Sequence, residues 1–207
     1  MFDAKAHWEK IYQEKRPEEV SWFQQDPAKS LELIHYAGIP KTGSLIDVGG
    51  GASRLVDKLL EEGYQNLSVL DISAQALDYA KQRLGPKAGL VHWIVADATN
   101  WTPDREYDLW HDRAVFHFLT EKAGRDGYTA RVKSALRPGG SLILAAFAKD
   151  GPDKCSGLPV RQYDSRMVRE EFGEGVEFVQ ESSETHRTPW GKEQKFGFFL
   201  LKRTAGR

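Results

Sequence analysis

The stretch Leu45-Ile46-Asp47-Val48-Gly49-Gly50-Gly51-Ala52-Ser53 runs from an apolar strand into three glycines and then into a predicted helix. Glycines at such a turn let backbone amides approach a ligand where a Cβ atom would collide. In open α/β sheets the crevice at the carboxyl ends of the strands is the usual ligand site. Arg54 stands where a dinucleotide fingerprint needs its third glycine, and no Gly-Lys-Ser/Thr of a phosphate loop follows. The stretch therefore predicts an α/β sheet with a ligand at this edge, and it leaves the ligand open.

Outward from this stretch, apolar strands alternate with helical segments. Alternation of this kind predicts a doubly wound, mainly parallel seven-stranded sheet with helices on both faces. The last two strands have no crossover helix between them, so we expect an antiparallel C-terminal hairpin. The predicted strands are residues 44–48, 67–70, 90–95, 107–111, 141–147, 176–184 and 195–203, with helices at 54–62, 74–84, 122–136 and 165–172 and a turn at Pro138-Gly139-Gly140.

Two amphipathic helices are predicted ahead of the sheet. Residues 3–15 carry an apolar face opposite lysines and glutamates. A second helix begins at Asp26-Pro27, because proline suits the first turn of a helix. We expect a single domain over residues 1–207, with an N-terminal helical cap in residues 1–40 and a Rossmann-like α/β core in residues 41–207.

Composition and charge narrow the class of protein. The formal net charge of −1 gives no broad attraction to nucleic acid or to an anionic membrane. The single cysteine, Cys155, cannot form an internal disulfide, which favours a reducing compartment. No stretch approaches the roughly 20 apolar residues that span a bilayer, and the charged N-terminus lacks the apolar centre of a secretory signal. We expect a cytoplasmic protein with no nucleic-acid and no membrane partner.

Two more carboxylates follow the next two predicted strands. Asp71 ends the second strand, where an acidic side chain can accept hydrogen bonds from both hydroxyls of a ribose. Asp97 follows the third strand, where a carboxylate can accept a hydrogen bond from an adenine amino group. At each position the alternative is an aspartate that serves only a turn or a helix cap. Three carboxylates including Asp47, each at the carboxyl end of its own strand, make coincidence a weaker explanation.

At this point the sequence resembles the class I S-adenosylmethionine-dependent methyltransferase family. The motifs that carry the resemblance stand in the family's order and at its spacing: Asp47–Gly51, Val69–Ser73, Ala96–Ala98, Tyr107–Trp110 and Leu136–Gly140. The resemblance implies S-adenosyl-L-methionine as the cofactor and S-adenosyl-L-homocysteine as the product left after transfer. It also implies that the whole chain is one methyltransferase domain.

The resemblance assigns the cofactor-binding residues. The glycines pack against the methionine part of the cofactor, and Asp47 helps hold that region. Asp71 takes the ribose, and Asp97 meets the adenine. The residues expected at the cofactor are Asp47, Gly49, Gly50, Gly51, Asp71, Ile72, Asp97, Ala98 and Trp22.

The N-terminal stretch narrows the resemblance to two subgroups. His7-Trp8-Glu9, Tyr12 and Ser21-Trp22-Phe23-Gln24 look like the opening segment of enzymes that methylate small thiols, halides or thiopurines. They look equally like that of enzymes that methylate lysines of elongation factor or citrate synthase. In both subgroups this segment covers the cofactor and helps shape the acceptor site. Plain core packing of the N-terminal helices is the alternative for Trp8, Trp22 and Phe23.

The segment after the fourth strand is expected to carry the catalytic side chains, because the family places the acceptor there. His111 and His117 can titrate near neutrality, Asp112 can orient a group or accept a proton, and Arg113 can pair with an acidic substrate group. The alternative is packing histidines and a structural Asp112–Arg113 pair. The lysine subgroup has an acidic-basic pair here, which Asp112-Arg113-Ala114 resembles, but a second aspartate where this chain has His117. That difference weakens the lysine interpretation.

Residues 148–162 are predicted to be a loop that can close over the cleft. Cys155 in this loop is a candidate contact for a thiol or metalloid acceptor, or else an ordinary loop residue. One cysteine and scattered histidines give no metal-ligand spacing, so no metal is expected.

Four functions stay open, and methyl transfer to a small soluble nucleophile is favoured. Protein lysine methylation is the second, and a non-catalytic S-adenosylmethionine-binding module is the third. A nicotinamide oxidoreductase is weaker, because the third glycine of the dinucleotide fingerprint is absent. The sequence names neither the acceptor nor the oligomeric state.

Overall fold

Residues 2–204 are described by a computed structural model, and within them seven strands form one central sheet. The helices are α1 (Ala4–Glu14), α2 (Ala28–Tyr36), α3 (Leu55–Glu61), α4 (Ala74–Leu84), α5 (Lys122–Ala135) and α6 (Ser165–Phe172). The strands are β1 (Ser44–Val48), β2 (Asn66–Asp71), β3 (Val91–Val95), β4 (Tyr107–Arg113), β5 (Leu136–Phe147), β6 (Lys154–Cys155), β7 (Leu158–Pro159), β8 (Val176–Arg187) and β9 (Glu193–Arg203). Short 3-10 helices cover Pro17–Glu19, Gly85–Leu90 and Phe116–Phe118.

The sheet has the order β3-β2-β1-β4-β5-β9-β8. Its first five strands are parallel, and β9 runs antiparallel between β5 and β8. The predicted doubly wound sheet with an antiparallel C-terminal hairpin is therefore confirmed. None of the helices in the described part of the chain has the length and apolarity that crossing a bilayer requires.

Two apolar clusters cover the two faces of the sheet. On one face, α2, α3 and α4 pack through residues such as Leu33, Leu55 and Leu77. On the other face, α5 and α6 pack through residues such as Tyr128 and Phe172. Because both faces of the sheet are covered at its centre, β5 is a nearly continuous apolar and buried run after Gly140.

The helix α1 docks on the start of α4. The carboxylate of Glu9 accepts hydrogen bonds from the backbone N–H of Ala74 at 2.7 Å and of Gln75 at 3.3 Å. It also accepts one from the Ser73 hydroxyl at 3.2 Å. A carboxylate at this position satisfies amides that the helix itself leaves unpaired, and it faces the positive end of the helix dipole. Glu9 thus fixes the N-terminal helix to the turn that follows β2.

Some predicted boundaries are wrong. The predicted helix 122–136 ends one residue earlier, and Leu136 already pairs with Tyr107 as the first residue of β5. The register then shifts before Ser141 pairs with Leu109, so the predicted Pro-Gly-Gly turn is an irregularity inside the strand. Gly139 adopts a φ of +80° there, which suits glycine.

The predicted loop 148–162 contains a small hairpin. Its strands β6 and β7 pair Lys154 with Pro159 and Cys155 with Leu158. At the other edge of the molecule, β8 and β9 extend beyond the predicted bounds, and the backbone bond from Thr188 N–H to the Lys192 carbonyl closes the turn between them at 2.9 Å.

Candidate functional site

A cavity of about 720 Å³ lies at the carboxyl ends of β1 to β4. Its lining divides into two parts. The part that we call the cofactor end follows β1, β2 and β3, and includes Gly49, Asp71, Ile72, Asp97 and Ala98. The part that we call the acceptor end comes from the N-terminal segment, the end of β4 and the β6–β7 hairpin, and includes Trp8, Trp22, Arg113, Phe118, Cys155, Leu158 and Pro159.

The glycine turn after β1 leaves no room for side chains. Gly49 has a φ of +68°, and a Cβ atom on it would lie 2.0 Å from Cγ2 of Val115. A Cβ on Gly50 would lie 2.5 Å from Oδ2 of Asp47, and one on Gly51 would lie 2.7 Å from Oδ2 of Asp71. The turn therefore needs glycine for its own packing, and Gly49 also lines the large cavity.

Two carboxylates that the sequence analysis assigns to the cofactor, Asp71 and Asp97, line this end of the cavity, and their contact with the cofactor stays a prediction. Asp71 is buried and its Oδ1 accepts a hydrogen bond from Ser73 N–H at 2.8 Å. Burial, together with the nearby Asp47 and Glu9 carboxylates, raises the pKa of Asp71 to about 7. Oδ1 of Asp97 accepts bonds from the backbone and the hydroxyl of Thr99 at 2.8 and 2.7 Å. Both aspartates thus shape their turns and also face the cavity.

His111 lies beside the glycine turn and not at the acceptor end. Its Nδ1 is 2.7 Å from Oδ1 of Asp47, and its Nε2 is 2.9 Å from Oγ of Ser30. His111, Asp47 and Ser30 line a smaller cavity of about 50 Å³, to which Gly50 also contributes. Gly49, Trp22 and Arg113 belong to the lining of both cavities.

Asp112 points to the opposite face of the sheet and holds the turn after β4. Its carboxylate accepts hydrogen bonds from the backbone of Val115 at 2.8 Å and of Phe116 at 3.0 Å, and from the Tyr128 hydroxyl at 2.5 Å. Burial raises the pKa of Asp112 to about 6. These contacts keep Val115 against Gly49, and they favour a structural role; the predicted catalytic role is untested.

Arg113 is the predicted catalytic residue that reaches the acceptor end. Its Nη1 donates to the Trp22 carbonyl at 3.0 Å, and its Nη2 is 3.6 Å from a carboxylate oxygen of Glu184. The guanidinium lies over the Phe196 ring, 4.4 Å from its centroid. Burial lowers the pKa of Arg113 to about 10, so the side chain is positively charged at neutral pH.

His117 is fully buried and does not belong to the lining of either cavity. Its ring packs against Phe118 and Phe147, with centroids 4.5 and 4.7 Å apart, and Phe147 N–H donates to Nδ1 at 3.4 Å. Burial lowers the pKa of His117 to about 3, so the ring is neutral at physiological pH. These contacts favour the interpretation that His117 is a packing residue.

Aromatic side chains form most of the acceptor end. Trp8 meets Trp22 and Phe118 edge to face, with ring centroids 5.6 and 5.0 Å apart. Trp22 also donates from Nε1 to the Tyr12 hydroxyl at 3.2 Å. Cys155 is buried, and burial raises its pKa to about 11, so it is a neutral thiol. Trp22, which the sequence analysis assigns to the cofactor, lines the cavity at its acceptor end, and its contact with the cofactor stays a prediction.

Several lining residues were not singled out from the sequence. Val115 and Phe118 lie in the segment that is expected to carry the catalytic side chains. An apolar side chain in such a segment is, however, typical of the hydrophobic core. Leu158 and Pro159 lie in the predicted loop, and only their pairing with β6 brings them to the cavity. Glu184 occupies an alternating strand position, so nothing in the sequence marks it as the partner of Arg113.

The cofactor end fits an S-adenosyl ligand. Asp71 and Asp97 supply acceptors at the ends of neighbouring strands, and the glycine turn brings backbone close to the cavity. Oδ2 of Asp47 is buried without a hydrogen-bond partner in the described residues, as an acceptor reserved for a ligand would be. Within residues 2–204, no group of three or more His, Cys, Asp or Glu side chains is placed to hold a metal ion.

Comparison with known proteins agrees with this geometry. Residues 45–140 match the family model described as a methyltransferase domain. The chain is 30% identical over 108 residues to malonyl-[acyl-carrier protein] O-methyltransferase 2 of Ilyobacter polytropus, a match that covers 52% of this chain and 40% of that protein. It is 25% identical over 155 residues to the eEF1A lysine and N-terminal methyltransferase of Mus musculus, which covers 72% of this chain and 22% of that protein. The chain thus spans less than half the length of these two relatives.

Among solved structures, the chain is similar to the one described as conversion of a disulfide bond into a thioacetal group during echinomycin biosynthesis. The TM-score is 0.79 at 19% identity, over 97% of this chain and 93% of that one, so this likeness concerns the fold alone. The family model, the relatives and the seven-stranded fold agree with the glycine turn and the carboxylates of the cofactor end. Residues 45–140 are therefore a methyltransferase domain, and the chain has the fold of the class I S-adenosylmethionine-dependent methyltransferases.

Proposed function

We propose that this chain transfers the methyl group of S-adenosylmethionine to a small soluble nucleophile that is neutral or anionic when it binds. The observation that carries the proposal is the lining of the acceptor end, where Arg113 is a largely buried positive charge among aromatic and apolar neighbours, whereas Glu121 of the same cavity is exposed to solvent. Both the activity of the protein and its acceptor are inferred, because the relatives named above are longer than this chain and differ in what they methylate.

When bound, S-adenosylmethionine supplies a methyl group on a positively charged sulfonium. The residues of this chain then have to orient the acceptor in line and exclude water. Trp8, Trp22 and Phe118 can do both, since they form a continuous aromatic wall. A dry site of this kind strengthens every charge interaction inside it.

The charges at the acceptor end favour an acceptor that needs no base. Cys155 is a neutral thiol, and His117 is neutral and lies away from both cavities. A thiolate or a metalloid anion arrives without a proton to remove, and Arg113 attracts it. A protonated lysine ammonium would instead meet the like charges of Arg113 and of the sulfonium.

Protein lysine methylation is the alternative, and the similarity to the eEF1A lysine and N-terminal methyltransferase is the observation that favours it. It requires an acceptor end that admits an extended side chain and a group that removes the ammonium proton. A non-catalytic binding module is the other alternative, and it predicts cofactor binding without turnover of any acceptor.

Calorimetry with S-adenosylmethionine and, separately, S-adenosylhomocysteine tests the proposal first. We expect binding of both in the micromolar range. The loaded protein is then incubated with a panel of small thiols, metalloid anions and lysine peptides, and methylated products are measured by mass spectrometry. Product only from lysine peptides would replace the proposed acceptor, and a folded protein that binds neither ligand would end the methyltransferase proposal.

A further inference from the structure

His111 has contacts that a catalytic base at the acceptor end would not have. We infer that His111 is a positioning residue, which orients the Asp47 carboxylate so that its free oxygen receives the ammonium group of the ligand's amino-acid part. This inference rests on the proposed function, since it takes an S-adenosyl ligand as given. It assigns His111 to cofactor affinity and removes it from methyl transfer itself.

The strand register brings the two side chains together. Asp47 on β1 and His111 on β4 are paired residues in the parallel sheet, so their side chains stand side by side on the same face. A carboxylate can only accept hydrogen bonds, so Nδ1 of His111 donates to Oδ1 of Asp47 across 2.7 Å. In the neutral ring, Nε2 then accepts from the Ser30 hydroxyl across 2.9 Å.

This chain of hydrogen bonds occupies both nitrogens of the imidazole. All three side chains are buried, and Ser30 lies in the first turn of α2. His111 would have to break a buried hydrogen bond in order to accept a proton from an acceptor elsewhere. Its geometry is that of a group that fixes a neighbour, because one nitrogen holds the carboxylate and the other is held by a helix.

The second oxygen of Asp47 is left for a ligand. Oδ2 is buried and has no hydrogen-bond partner in the described residues. The small cavity of about 50 Å³ beside Asp47 holds one or two groups of the size of an ammonium. Gly50 keeps this oxygen clear, since a Cβ atom there would stand 2.5 Å from it.

The small cavity adjoins the large one through shared residues. Gly49, Trp22 and Arg113 line both. A ligand whose nucleoside occupies the cofactor end can therefore extend its amino-acid part past Gly49 toward Asp47. Arg113 is the other charged group that lines this small cavity.

Two probes separate positioning from folding. S-adenosylhomocysteine carries the amino-acid part, whereas 5′-methylthioadenosine keeps the nucleoside and the thioether and lacks that part. Both are titrated by calorimetry into the full chain and into the variant His111→Ala. We expect the variant to bind S-adenosylhomocysteine at least roughly tenfold more weakly, because one charge-assisted hydrogen bond is lost. We expect it to bind 5′-methylthioadenosine as tightly as the parent does.

Further variants keep the test decisive. His111→Asn retains an N–H donor near the Nδ1 position and should recover most of the lost affinity, while His111→Phe keeps a ring without a donor and should not. His111→Phe replaces His111→Ala if the latter does not fold. Equal losses for both probes, or no loss for S-adenosylhomocysteine, would overturn the inference while the proposed function stands. A parent protein that binds neither probe would overturn both.

Discussion

The two ends of the cavity are assembled in different ways. At the cofactor end, each side chain comes from the end of its own strand: Asp71 is the last residue of β2, and Asp97 follows β3 after one intervening residue. At the acceptor end, Trp22, Arg113 and Cys155 come from distant segments, and single long-range bonds such as the one from Arg113 to the Trp22 carbonyl hold them together. The sheet thus preorganises the cofactor end, whereas the acceptor end exists only when the N-terminal segment and the β6–β7 hairpin are in place. Substitutions should therefore act differently at the two ends.

The largest effect is expected where the two ends touch. Gly49→Ala combines a φ of +68° with a Cβ atom 2.0 Å from Val115, so strain and overpacking together should cost about 4 kcal/mol and abolish binding of S-adenosylhomocysteine. Urea unfolding and calorimetry measure the two quantities. Gly63→Ala is the matched control, because its φ is +87° and nothing lies within 4 Å of the added Cβ. Equal effects of the two substitutions would mean that the contact with Val115 is unimportant.

The next effect concerns the turn that connects both ends. Asp112→Ala leaves the amides of Val115 and Phe116 and the hydroxyl of Tyr128 unpaired in the core, so the free energy of unfolding should fall by roughly 3 kcal/mol. Denaturant unfolding checks this value. Asp126→Ala, which removes only an exposed pair with Lys122, should change it by less than about 0.5 kcal/mol. A stable Asp112→Ala protein that has lost only turnover would restore the predicted catalytic role of Asp112.

A third effect is confined to the cofactor end. Asp71→Ala should weaken S-adenosylhomocysteine binding by roughly 1–3 kcal/mol, because the ribose hydroxyls lose their acceptor. Calorimetry at pH 8 measures it. An unchanged affinity would refute the assignment of the ribose to Asp71.

The pH dependence of the same residue sharpens this test. Burial raises the pKa of Asp71 from 3.8 to about 7, and the ionised form is the one that accepts from a ribose. Affinity for S-adenosylhomocysteine should therefore rise as pH increases through about 7, by at most about tenfold per unit. The stability of the free protein should move the other way: the contribution of Asp71 is complete below its unfolded pKa and is lost as pH rises through about 7. Asp71→Asn should flatten both profiles, and a pH profile that persists in this variant would assign the titration to another group.

The smallest effect is expected at the acceptor end. Cys155→Ser changes one atom in the lining, and the raised pKa of about 11 keeps the native thiol neutral. Methyl transfer to an acceptor found in the panel should stay within about twofold of the parent, a change of less than about 0.5 kcal/mol. S-adenosylhomocysteine binding should be unchanged. A loss of tenfold or more in turnover would show that Cys155 contacts the acceptor after all.

The same contrast explains how far the sequence could predict the site. Asp71, Asp97 and Gly49 could be placed because the end of a parallel strand fixes where the next side chain emerges. Residues 111–113 could not, because β4 was predicted to end at His111 and in fact continues to Arg113. Within a strand, neighbouring side chains alternate between faces, so His111 and Arg113 point to one side and Asp112 to the other.

The acceptor end was predictable only in part. Trp8 and Trp22 stood out as aromatic residues in an N-terminal cap, and the resemblance to known subgroups placed them near the ligand. The strands of the β6–β7 hairpin are two residues long, which is too short for an alternating hydrophobic pattern to be recognised in the sequence. Likewise, the pairing of Arg113 with Glu184 depends on how the edge hairpin packs, and that arrangement is long-range.

The contact of Glu9 with the start of α4 has a practical consequence. The backbone amides of Ala74 and Gln75 are bonded by a carboxylate 65 and 66 residues earlier in the chain. Slow hydrogen exchange at these two amides therefore reports that α1 is docked, although the amides themselves belong to α4. The same two amides adjoin the turn of Asp71, so their exchange can report both the docking of α1 and the binding of a nucleoside in a single experiment.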